Sequence, residues 1–318
     1  MSVTATPAPP SARQPRPIEL RDEARRPGMP LLWFDGALSS AGSLQAPLTT
    51  HAMHYGTGVF EGIRSYATRE GAAVFRLPEH LERMRKGADL LGIDFDIEQA
   101  FDATLQTLRA NGHRDAYVRP LTWLGTGADG AITVGLDVPG LSQHFMVVTL
   151  PTVVHLNGKR SRLTVSPWRR NPATSLPPLK LCGAYINSIL AKRESRLRGF
   201  DEALFVDDAG YVVECTGANV FMVRNGEVTA VEHRDALPGI TRDTVIALGG
   251  AQSRPVTHHE LLDADEVFVC GTAAEVAPIS ALDRREFGDN PVTRELQALY
   301  GRVVRGEESA HAHWLTAV

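Results

Sequence analysis

The chain has 318 residues, 43% hydrophobic and 22% charged, a balance typical of soluble globular proteins with one large or two smaller domains. Its net charge of −4 gives no electrostatic basis for binding nucleic acid or a membrane surface, and no apolar run approaches the roughly 18 residues that cross a bilayer. The three cysteines (Cys182, Cys215 and Cys270) form no CxxC pair, which predicts free thiols and a cytoplasmic location rather than a disulfide framework.

The first half of the chain predicts a disordered tail followed by a small α+β domain. Residues 1–27 are rich in Pro, Ala, Ser and Arg and lack the apolar segment of a secretory signal. Residues 28–156 contain two amphipathic helices, one opened by Pro78 and one at 97–110 that ends at Asn111-Gly112. The strands of this domain are expected at 31–36, 58–66, 72–77, 116–124 and 144–150.

The second half predicts a larger domain in which strands and helices are mixed. The polar residues 157–162 are expected to be the interdomain linker, and residues 163–318 the large domain. Its helices are expected at 185–198, 241–249 and 292–303. Its strands are expected at 202–206, 211–214, 219–223 and 266–270, after a strand that begins at Leu163. The fold class is therefore α/β, with an α+β small domain and a mixed α/β large domain.

Residues 125–130 spell G-x-G-x-x-G, the pattern of dinucleotide-binding folds. That function requires a helix beginning at the third glycine, so that the helix N-terminus binds the pyrophosphate. The residues that follow, AITVGLDVPG, contain β-branched residues, glycines and a proline and do not predict a helix. No acidic residue near position 150 is available to bind a ribose. We therefore interpret the segment as a glycine loop rather than a dehydrogenase site.

Several polar residues lie where packing alone does not explain them. Lys180 lies in the apolar, proline-flanked segment SLPPLKLCGAY, where a lysine either extends to water or is a buried amine. Glu214 interrupts the strand YVVECTGANVF and is either exposed or buried with a cationic partner. The turn LPGITRD precedes a helix whose first amides, at Ile240 and Thr241, are able to bind an anion. The residues alone leave these alternatives open.

Taken together and in this order, these segments resemble the fold-type IV, or class IV, aminotransferases, the D-amino-acid aminotransferase-like enzymes that use pyridoxal 5'-phosphate. The similarity is greatest to the branched-chain amino-acid aminotransferases, and it extends from about residue 30 to the end of the chain. The matching segments are HAMHYGTGVFEGIRSY (51–66), VFRLPEHLERM (74–84), AYVRPL (116–121), PPLKLCGAYINSIL (177–190), GFDEALFVDDAGYVVECTGANVF (199–221), ALPGITRD (236–243), ADEVFVCGTAAEVAPI (264–279) and the terminal HWLTAV.

The resemblance implies a role for each cofactor-binding residue. Lys180 corresponds to the catalytic lysine, which forms a Schiff base with pyridoxal phosphate and moves the substrate proton. Glu214 corresponds to the carboxylate that pairs with the pyridine nitrogen, and Tyr185 to the tyrosine that binds the cofactor O3'. The remaining cofactor residues are expected around the phosphate: Arg83, Gly239, Ile240, Thr241 and Thr272.

The resemblance also implies a substrate pocket between the two domains. The small domain is expected to contribute Tyr55, Phe60, Gly62, Arg64, Tyr117, Arg119 and His155. The turn of Thr272, Ala273 and Ala274 is expected to receive the substrate α-carboxylate. Family members are at least dimers, and the resemblance places Tyr55 and the loop 125–131 at the neighbouring subunit's site. We therefore expect a homodimer or a larger homo-oligomer.

Three segments depart from the family pattern. Residues 182–185, CGAY, replace Gly-Gly-Asn-Tyr after the lysine, and residues 217–221, GANVF, replace Gly-Glu-Asn-Leu-Phe. Residues 151–155, PTVVH, replace the Pro-Trp-Gly-x-Tyr of bacterial branched-chain enzymes. Thr152 and His155 thus stand where a tryptophan and a tyrosine shape the pocket. We expect a roomier pocket, in which His155 and Arg119 face the γ-carboxylate of glutamate.

The favoured interpretation is a branched-chain-type aminotransferase that acts on L-amino acids and 2-oxo acids, 2-oxoglutarate among them. Within the family, the alternative is an (R)-amine, D-amino-acid or specialised biosynthetic transaminase. A non-catalytic binding protein on the same fold is disfavoured, because the lysine, glutamate, tyrosine and arginine are all present.

No metal site is expected, since His51/His54 and His258/His259 lack a third ligand at suitable spacing. We expect all three cysteines close to the cofactor, because each lies within two residues of a predicted site residue.

Overall fold

The computed structural model describes residues 29–151 and 161–318. Thr152, His155, most of the expected linker and the expected N-terminal tail lie outside these residues. Within the described part, the chain forms two β-sheets with helices packed against them. No helix of this part is long and apolar enough to cross a membrane.

The first sheet is antiparallel throughout the described residues. Seven of its strands come from the first half of the chain: β1 (Leu31–Phe34), β2 (Ala37–Ser40), β3 (Gly58–Phe60), β4 (Ile63–Thr68), β5 (Gly71–Phe75), β6 (Ala116–Leu124) and β7 (Gln143–Pro151). Their order is β5-β4-β6-β7-β1-β2, and β3 pairs with β6. Strand β6 alternates buried and half-buried residues, as expected for a strand with one face in a core.

Three helices accompany the first sheet: α1 (His51–Tyr55), α2 (Leu77–Leu90) and α3 (Ile97–Asn111). Pro78 lies in the first turn of α2, where a helix does not need the N–H. Helix α3 begins after Asp96, whose side chain accepts a hydrogen bond from Gln99 N at 3.0 Å. It ends at Gly112, whose φ of +64° suits glycine, so the predicted end at Asn111-Gly112 is confirmed. Helices α2 and α3 share one apolar core with the sheet. This core includes Leu77, Leu81, Met84 and Leu108 from the helices and Val118 and Val147 from the sheet.

The second sheet is mixed. Its strands are β8 (Ser161–Val165), β9 (Glu202–Val206), β10 (Val212–Cys215), β11 (Asn219–Arg224), β12 (Glu227–Val231), β13 (Gln252–Arg254), β14 (Glu266–Gly271), β15 (Glu275–Leu282) and β16 (Arg285–Glu286). The order is β10-β9-β8-β15-β14-β11-β12-β13, with β16 beside β15. Strand β8 runs parallel to both β9 and β15, and β12 runs parallel to β13. The other pairings are antiparallel.

Four helices follow in this half: α4 (Tyr185–Leu197), α5 (Ile240–Gly249), α6 (His258–Leu262) and α7 (Pro291–Val304). Helix α4 packs on β9, whereas α5 and α7 pack on β14 and on each other. The latter contact buries Phe221, Phe268, Leu296 and Val303. This packing directs the N-terminus of α5 toward the end of β14, where the site described below is formed.

Among the differences from the sequence prediction, two concern how the strands pair. The strand expected at 58–66 is interrupted at Glu61 and Gly62, so that β3 and β4 pair separately with β6. The last strand, β17 (Leu315–Ala317), pairs with β5 and thus extends the first sheet, although the sequence places it in the large domain. Both features depend on pairing between residues distant in the chain, which local patterns do not reveal.

Candidate active site

The described residues enclose a cavity of about 470 Å³ lined by side chains from both sheets. Its volume lies in the range of small-molecule sites, ~300–1,000 Å³. The predicted site residues that line it are Phe60, Gly62, Arg83, Tyr117, Arg119, Lys180, Tyr185, Glu214, Gly239, Ile240, Thr241, Thr272 and Ala273. The fold therefore gathers residues from both halves of the chain around one space.

Lys180 reaches the cavity from a segment that runs beside β3. Its carbonyl accepts a hydrogen bond from Phe60 N at 3.2 Å, and the next residue, Leu181, forms a β-bridge with Val59. The Nζ donates to the Tyr185 hydroxyl at 3.0 Å. The Phe60 and Tyr185 rings, whose centres are 4.7 Å apart, lie together beside the amine, at 5.3 Å and 5.5 Å from Nζ. The lysine is thus oriented by a hydrogen bond and two rings.

Glu214, on β10, is buried with 5% of its surface exposed. Its Oε1 accepts a hydrogen bond from Arg170 Nε at 2.7 Å, and its Oε2 accepts one from Leu237 N at 3.1 Å. Burial raises the pKa of Glu214 above its usual value, while Arg170, the Leu237 amide and Lys180 oppose that rise. Of the two alternatives left open by the sequence, the structure shows the buried carboxylate with a cationic partner.

The N-terminus of helix α5 faces the cavity through Gly239, Ile240 and Thr241. A Cβ on Gly239 would overlap the side-chain oxygen of Asn219, so this close approach requires glycine. No side chain of the described residues caps the helix. Its first amides have no partner within the helix, and such a helix end attracts anions.

Arg83, on α2, lies beside this helix end and is fixed by the buried Glu61. The two oxygens of Glu61 accept hydrogen bonds from Arg83 Nε at 2.7 Å and Nη2 at 2.9 Å, and from His80 Nδ1 at 2.8 Å. Arg83 Nη1 donates to the carbonyl of Pro238 at 2.8 Å. Burial alone would raise the pKa of Glu61, but Arg83 and His80 outweigh it and hold the pKa well below its usual value. The interruption between β3 and β4 therefore supplies the carboxylate that orients Arg83.

Tyr117 and Arg119, two positions apart on β6, both line the cavity. Arg119 Nη2 donates to the Tyr117 hydroxyl at 2.6 Å, and its guanidinium lies 4.5 Å from the centre of the Phe60 ring. A Cβ on Gly62 would overlap the Tyr117 hydroxyl, so Gly62 leaves room for this pair. Because Arg119 is hydrogen-bonded here to a hydroxyl, its charge remains available to an anionic group of a ligand.

Three predicted substrate residues do not line the cavity in this single chain. Arg64 Nη1 forms an ion pair with Glu275 Oε1 at 2.5 Å and is buried there. Ala274, which precedes this glutamate, is also buried, and Tyr55 is 43% exposed at the end of α1. Arg64 and Glu275 thus link β4 to the turn that carries Thr272 and Ala273. A direct role in substrate binding stays a prediction for all three, as it does for His155.

The three cysteines are free thiols, and two of them, Cys182 and Cys270, line the cavity. Cys215 is buried but is not a lining residue. Burial raises the pKa of each thiol, which disfavours the reactive thiolate at neutral pH. Within the described residues, no group of three or more His, Cys, Asp or Glu side chains could hold a metal ion.

The family model for amino-transferase class IV matches residues 58–282, a range that includes all the lining residues of the cavity. The chain belongs to the class IV aminotransferases. The branched-chain-amino-acid aminotransferase of Pseudomonas aeruginosa is 36% identical over 304 residues, which cover 91% of this chain and 97% of the relative. The enzyme of the same name from Escherichia coli K12 is 33% identical and covers 90% of this chain and 97% of its own length.

Solved structures of branched-chain aminotransferases have the same fold. The branched-chain aminotransferase of Thermoproteus uzoniensis with norvaline is 36% identical, with a TM-score of 0.85, and covers 91% of this chain and 99% of its own. The branched-chain amino acid aminotransferase of Thermobaculum terrenum in its PLP form is 34% identical, with a TM-score of 0.82, and covers 90% and 97% of the two chains. The predicted family, the predicted fold class and the assignment as an aminotransferase are confirmed.

Four side chains that order this cavity were not singled out in the sequence: Glu61, His80, Arg170 and Asn219. Glu61 and His80 lie in segments that carry the family resemblance, but a charged or polar residue beside a turn or in a first helical turn is usually exposed. Arg170 is one of two adjacent arginines, and its neighbour Arg169 forms an exposed ion pair with Asp208. Only burial, which depends on the whole fold, distinguishes the two arginines.

Proposed function

We propose that this aminotransferase uses pyridoxal 5'-phosphate bound through Lys180 to move the amino group of a branched-chain-type L-amino acid to 2-oxoglutarate or another 2-oxo acid. The observation that carries the proposal is the convergence of Lys180, Tyr185, Glu214, Arg83 and the N-terminus of α5 on one cavity. The names of the relatives support the substrate class.

The donor set fits each polar group of the cofactor. A phosphate dianion suits the uncapped N-terminus of α5 together with the oriented guanidinium of Arg83. A protonated ring nitrogen suits the buried Glu214, and a ring hydroxyl suits Tyr185, which is already hydrogen-bonded to the lysine. When bound, the pyridine ring of the cofactor takes up the electron pair left on the substrate when its Cα loses a proton.

The residues of the chain supply the remaining functions. Lys180 Nζ acts first as a base that removes the proton from the substrate Cα. It then acts as an acid that returns a proton to the reacting molecule. Tyr185 orients the Nζ through the 3.0 Å hydrogen bond. Arg119 provides a fixed positive charge for a carboxylate of the amino donor or acceptor, and Phe60 offers an apolar surface beside it.

A coupled assay of 2-oxo-acid formation over a panel of amino donors tests the activity and the substrate class together. We expect leucine, isoleucine and valine to be turned over with 2-oxoglutarate, and an absorption band at roughly 410–420 nm that the bound cofactor supplies. Turnover confined to D-amino acids or (R)-amines would instead establish the alternative transaminase. Absence of both the band and any turnover would refute the enzymatic proposal.

We also propose that the enzyme is a cytoplasmic homodimer or larger homo-oligomer in which each site is completed by the neighbour. The loop after Gly125 carries the exposed apolar residues Ile132, Val134 and Leu136, and Tyr55 is exposed as well. The three free cysteines suit a reducing compartment. Light scattering on the purified protein tests the assembly, and a monomer at catalytic concentrations would refute it. Mixing Tyr55→Ala and Lys180→Ala subunits tests the shared site, since hybrid dimers should regain activity at one of their two sites.

A further inference from the structure

Glu214 has a charged neighbour that belongs to the protein itself. The Arg170 Nε–Glu214 Oε1 distance is 2.7 Å, and the two side chains are 8% and 7% exposed. Arg170 also lines the cavity. Its guanidinium has two further contacts, since Nη1 donates to Asn187 Oδ1 at 3.3 Å and the group lies 5.9 Å from the centre of the Phe205 ring. The pair is therefore buried and oriented by contacts within the chain itself.

A carboxylate in such a position has a strong tendency to become neutral. Removal from water destabilises the charged form, and a neutral acid is unable to form an ion pair with a protonated ring. Among the described residues, Arg170 and Lys180 are the cationic groups that favour the charged form of Glu214, and the Leu237 amide donates to its other oxygen. Lys180 is committed to the reacting atoms in the proposed function. Arg170 is thus the permanent countercharge.

We propose that Arg170 is a positioning residue that keeps Glu214 charged and fixes its orientation toward the ring nitrogen of the cofactor. The inference rests on the proposed function, because it assumes that pyridoxal phosphate occupies the cavity. The two hydrogen bonds to Glu214 leave further lone pairs on each carboxylate oxygen, so the group is still able to accept an N–H from a ligand.

The test compares two ligands on the apoenzyme: pyridoxal 5'-phosphate and its 1-deaza analogue, in which carbon replaces the ring nitrogen. The measured quantity is the ratio of their dissociation constants, obtained by fluorescence or calorimetric titration. In the wild type we expect the natural cofactor to bind more tightly by about tenfold or more, the size of one charge-assisted hydrogen bond. Glu214→Gln sets the lower reference, since an uncharged amide loses the charge-assisted part of this preference.

If Arg170 acts through the charge of Glu214, Arg170→Met should lower the ratio to within about threefold of the Glu214→Gln value. Arg170→Lys, which keeps a positive charge, should retain a ratio within about threefold of wild type. The matched control is Arg169→Met, because Arg169 forms an exposed ion pair with Asp208; it should leave the ratio unchanged. Should Arg170→Met fail to fold, Arg170→Gln removes the charge and keeps hydrogen-bonding groups, and the same loss of preference is expected.

If Arg170→Met or Arg170→Gln keeps the wild-type ratio of dissociation constants, the inference is wrong. That includes a variant in which both ligands lose affinity equally, because such a loss indicates a purely structural defect. The proposed function fails separately. It fails if the wild-type protein binds neither ligand, or if borohydride does not attach the cofactor to Lys180.

Discussion

The cofactor-facing and substrate-facing parts of the cavity are built differently. The cofactor part contains two ion pairs that are buried within the chain, Glu214 with Arg170 and Arg83 with Glu61. In the substrate part, Arg119 donates to the Tyr117 hydroxyl, and Tyr55 is exposed. Residues 152–160, which contain His155, lie outside the described residues.

This contrast indicates that the cofactor part determines the chemistry and the substrate part determines the choice of substrate. Buried ion pairs impose one geometry, because breaking either partner leaves an uncompensated charge away from water. Half-exposed side chains tolerate changes in size and polarity at a smaller free-energy cost. That Thr152 and His155, which stand in place of the family's tryptophan and tyrosine, belong to the substrate part stays a prediction. We expect substitutions in the cofactor part to change kcat, cofactor affinity or stability, and substitutions in the substrate part to change the choice of donor.

Lys180→Ala should have the largest effect. Loss of the group that we propose binds the cofactor covalently and moves the proton should lower transamination by at least about 10⁴-fold. Noncovalent binding of the cofactor should persist, because the anion site at α5 and Arg83 is separate from the lysine. Stopped assays and cofactor titration measure the two quantities. Wild-type turnover, or borohydride trapping at another lysine such as Lys192, would contradict the assignment.

Glu214→Gln keeps the shape of the side chain and removes its charge. Because a neutral amide does not stabilise a protonated ring nitrogen, kcat should fall by about 10²–10³-fold or more. Packing loss is a poor alternative explanation, and unchanged thermal unfolding of the variant serves as the control. A kcat within about threefold of wild type would rule out the electrostatic role.

Glu61→Gln should destabilise the apoenzyme, because without a bound phosphate it leaves the buried guanidinium of Arg83 with no countercharge. We expect the free energy of unfolding to fall by about 3–5 kcal/mol, measured by urea denaturation. In Glu61→Gln/Arg83→Met, where both charges are removed, the loss should be smaller. Equal losses in the single and double variants would show that the charge pair is not the cause.

The ion pair of Glu61 and Arg83 also predicts how the stability of the protein depends on pH. Since the pKa of Glu61 is held below its usual value of 4.5, its stabilising contribution is present above that pH and is lost as the pH falls below it. The wild type should therefore lose stability more steeply than Glu61→Gln on acidification below about pH 4.5. Parallel curves for the two proteins would contradict the lowered pKa.

Arg119→Gln should have the smallest effect and should depend on the donor. Loss of the positive charge should lower kcat/KM for glutamate by about 10–100-fold, while leucine should change by less than about threefold. The affinity for pyridoxal phosphate should be unchanged, which distinguishes this part of the cavity from the Glu214 side. Equal losses for glutamate and leucine would mean that Arg119 does not discriminate between donors.

Much of this site could be predicted from the sequence. The order of the motifs identified the family, and the thirteen predicted residues that line the cavity include the lysine, the carboxylate and the anion-binding helix end. Local signals also located helix ends, as Asp96 and Gly112 show for α3. These features depend on residue type and on neighbours a few positions away, which the sequence states directly.

Only the tertiary structure decided which charges are paired. Arg169 and Arg170 are adjacent and chemically identical, yet one is exposed beside Asp208 and the other is buried against Glu214. Glu61 orients Arg83 because β3 and β4 separate at that residue and pair independently with β6. Strand β17 pairs with β5 of the first sheet, although the strands that directly precede it in the chain belong to the second sheet. Desolvation and pairing of a charge depend on every element that packs around it, and these elements come together only when the whole chain has folded.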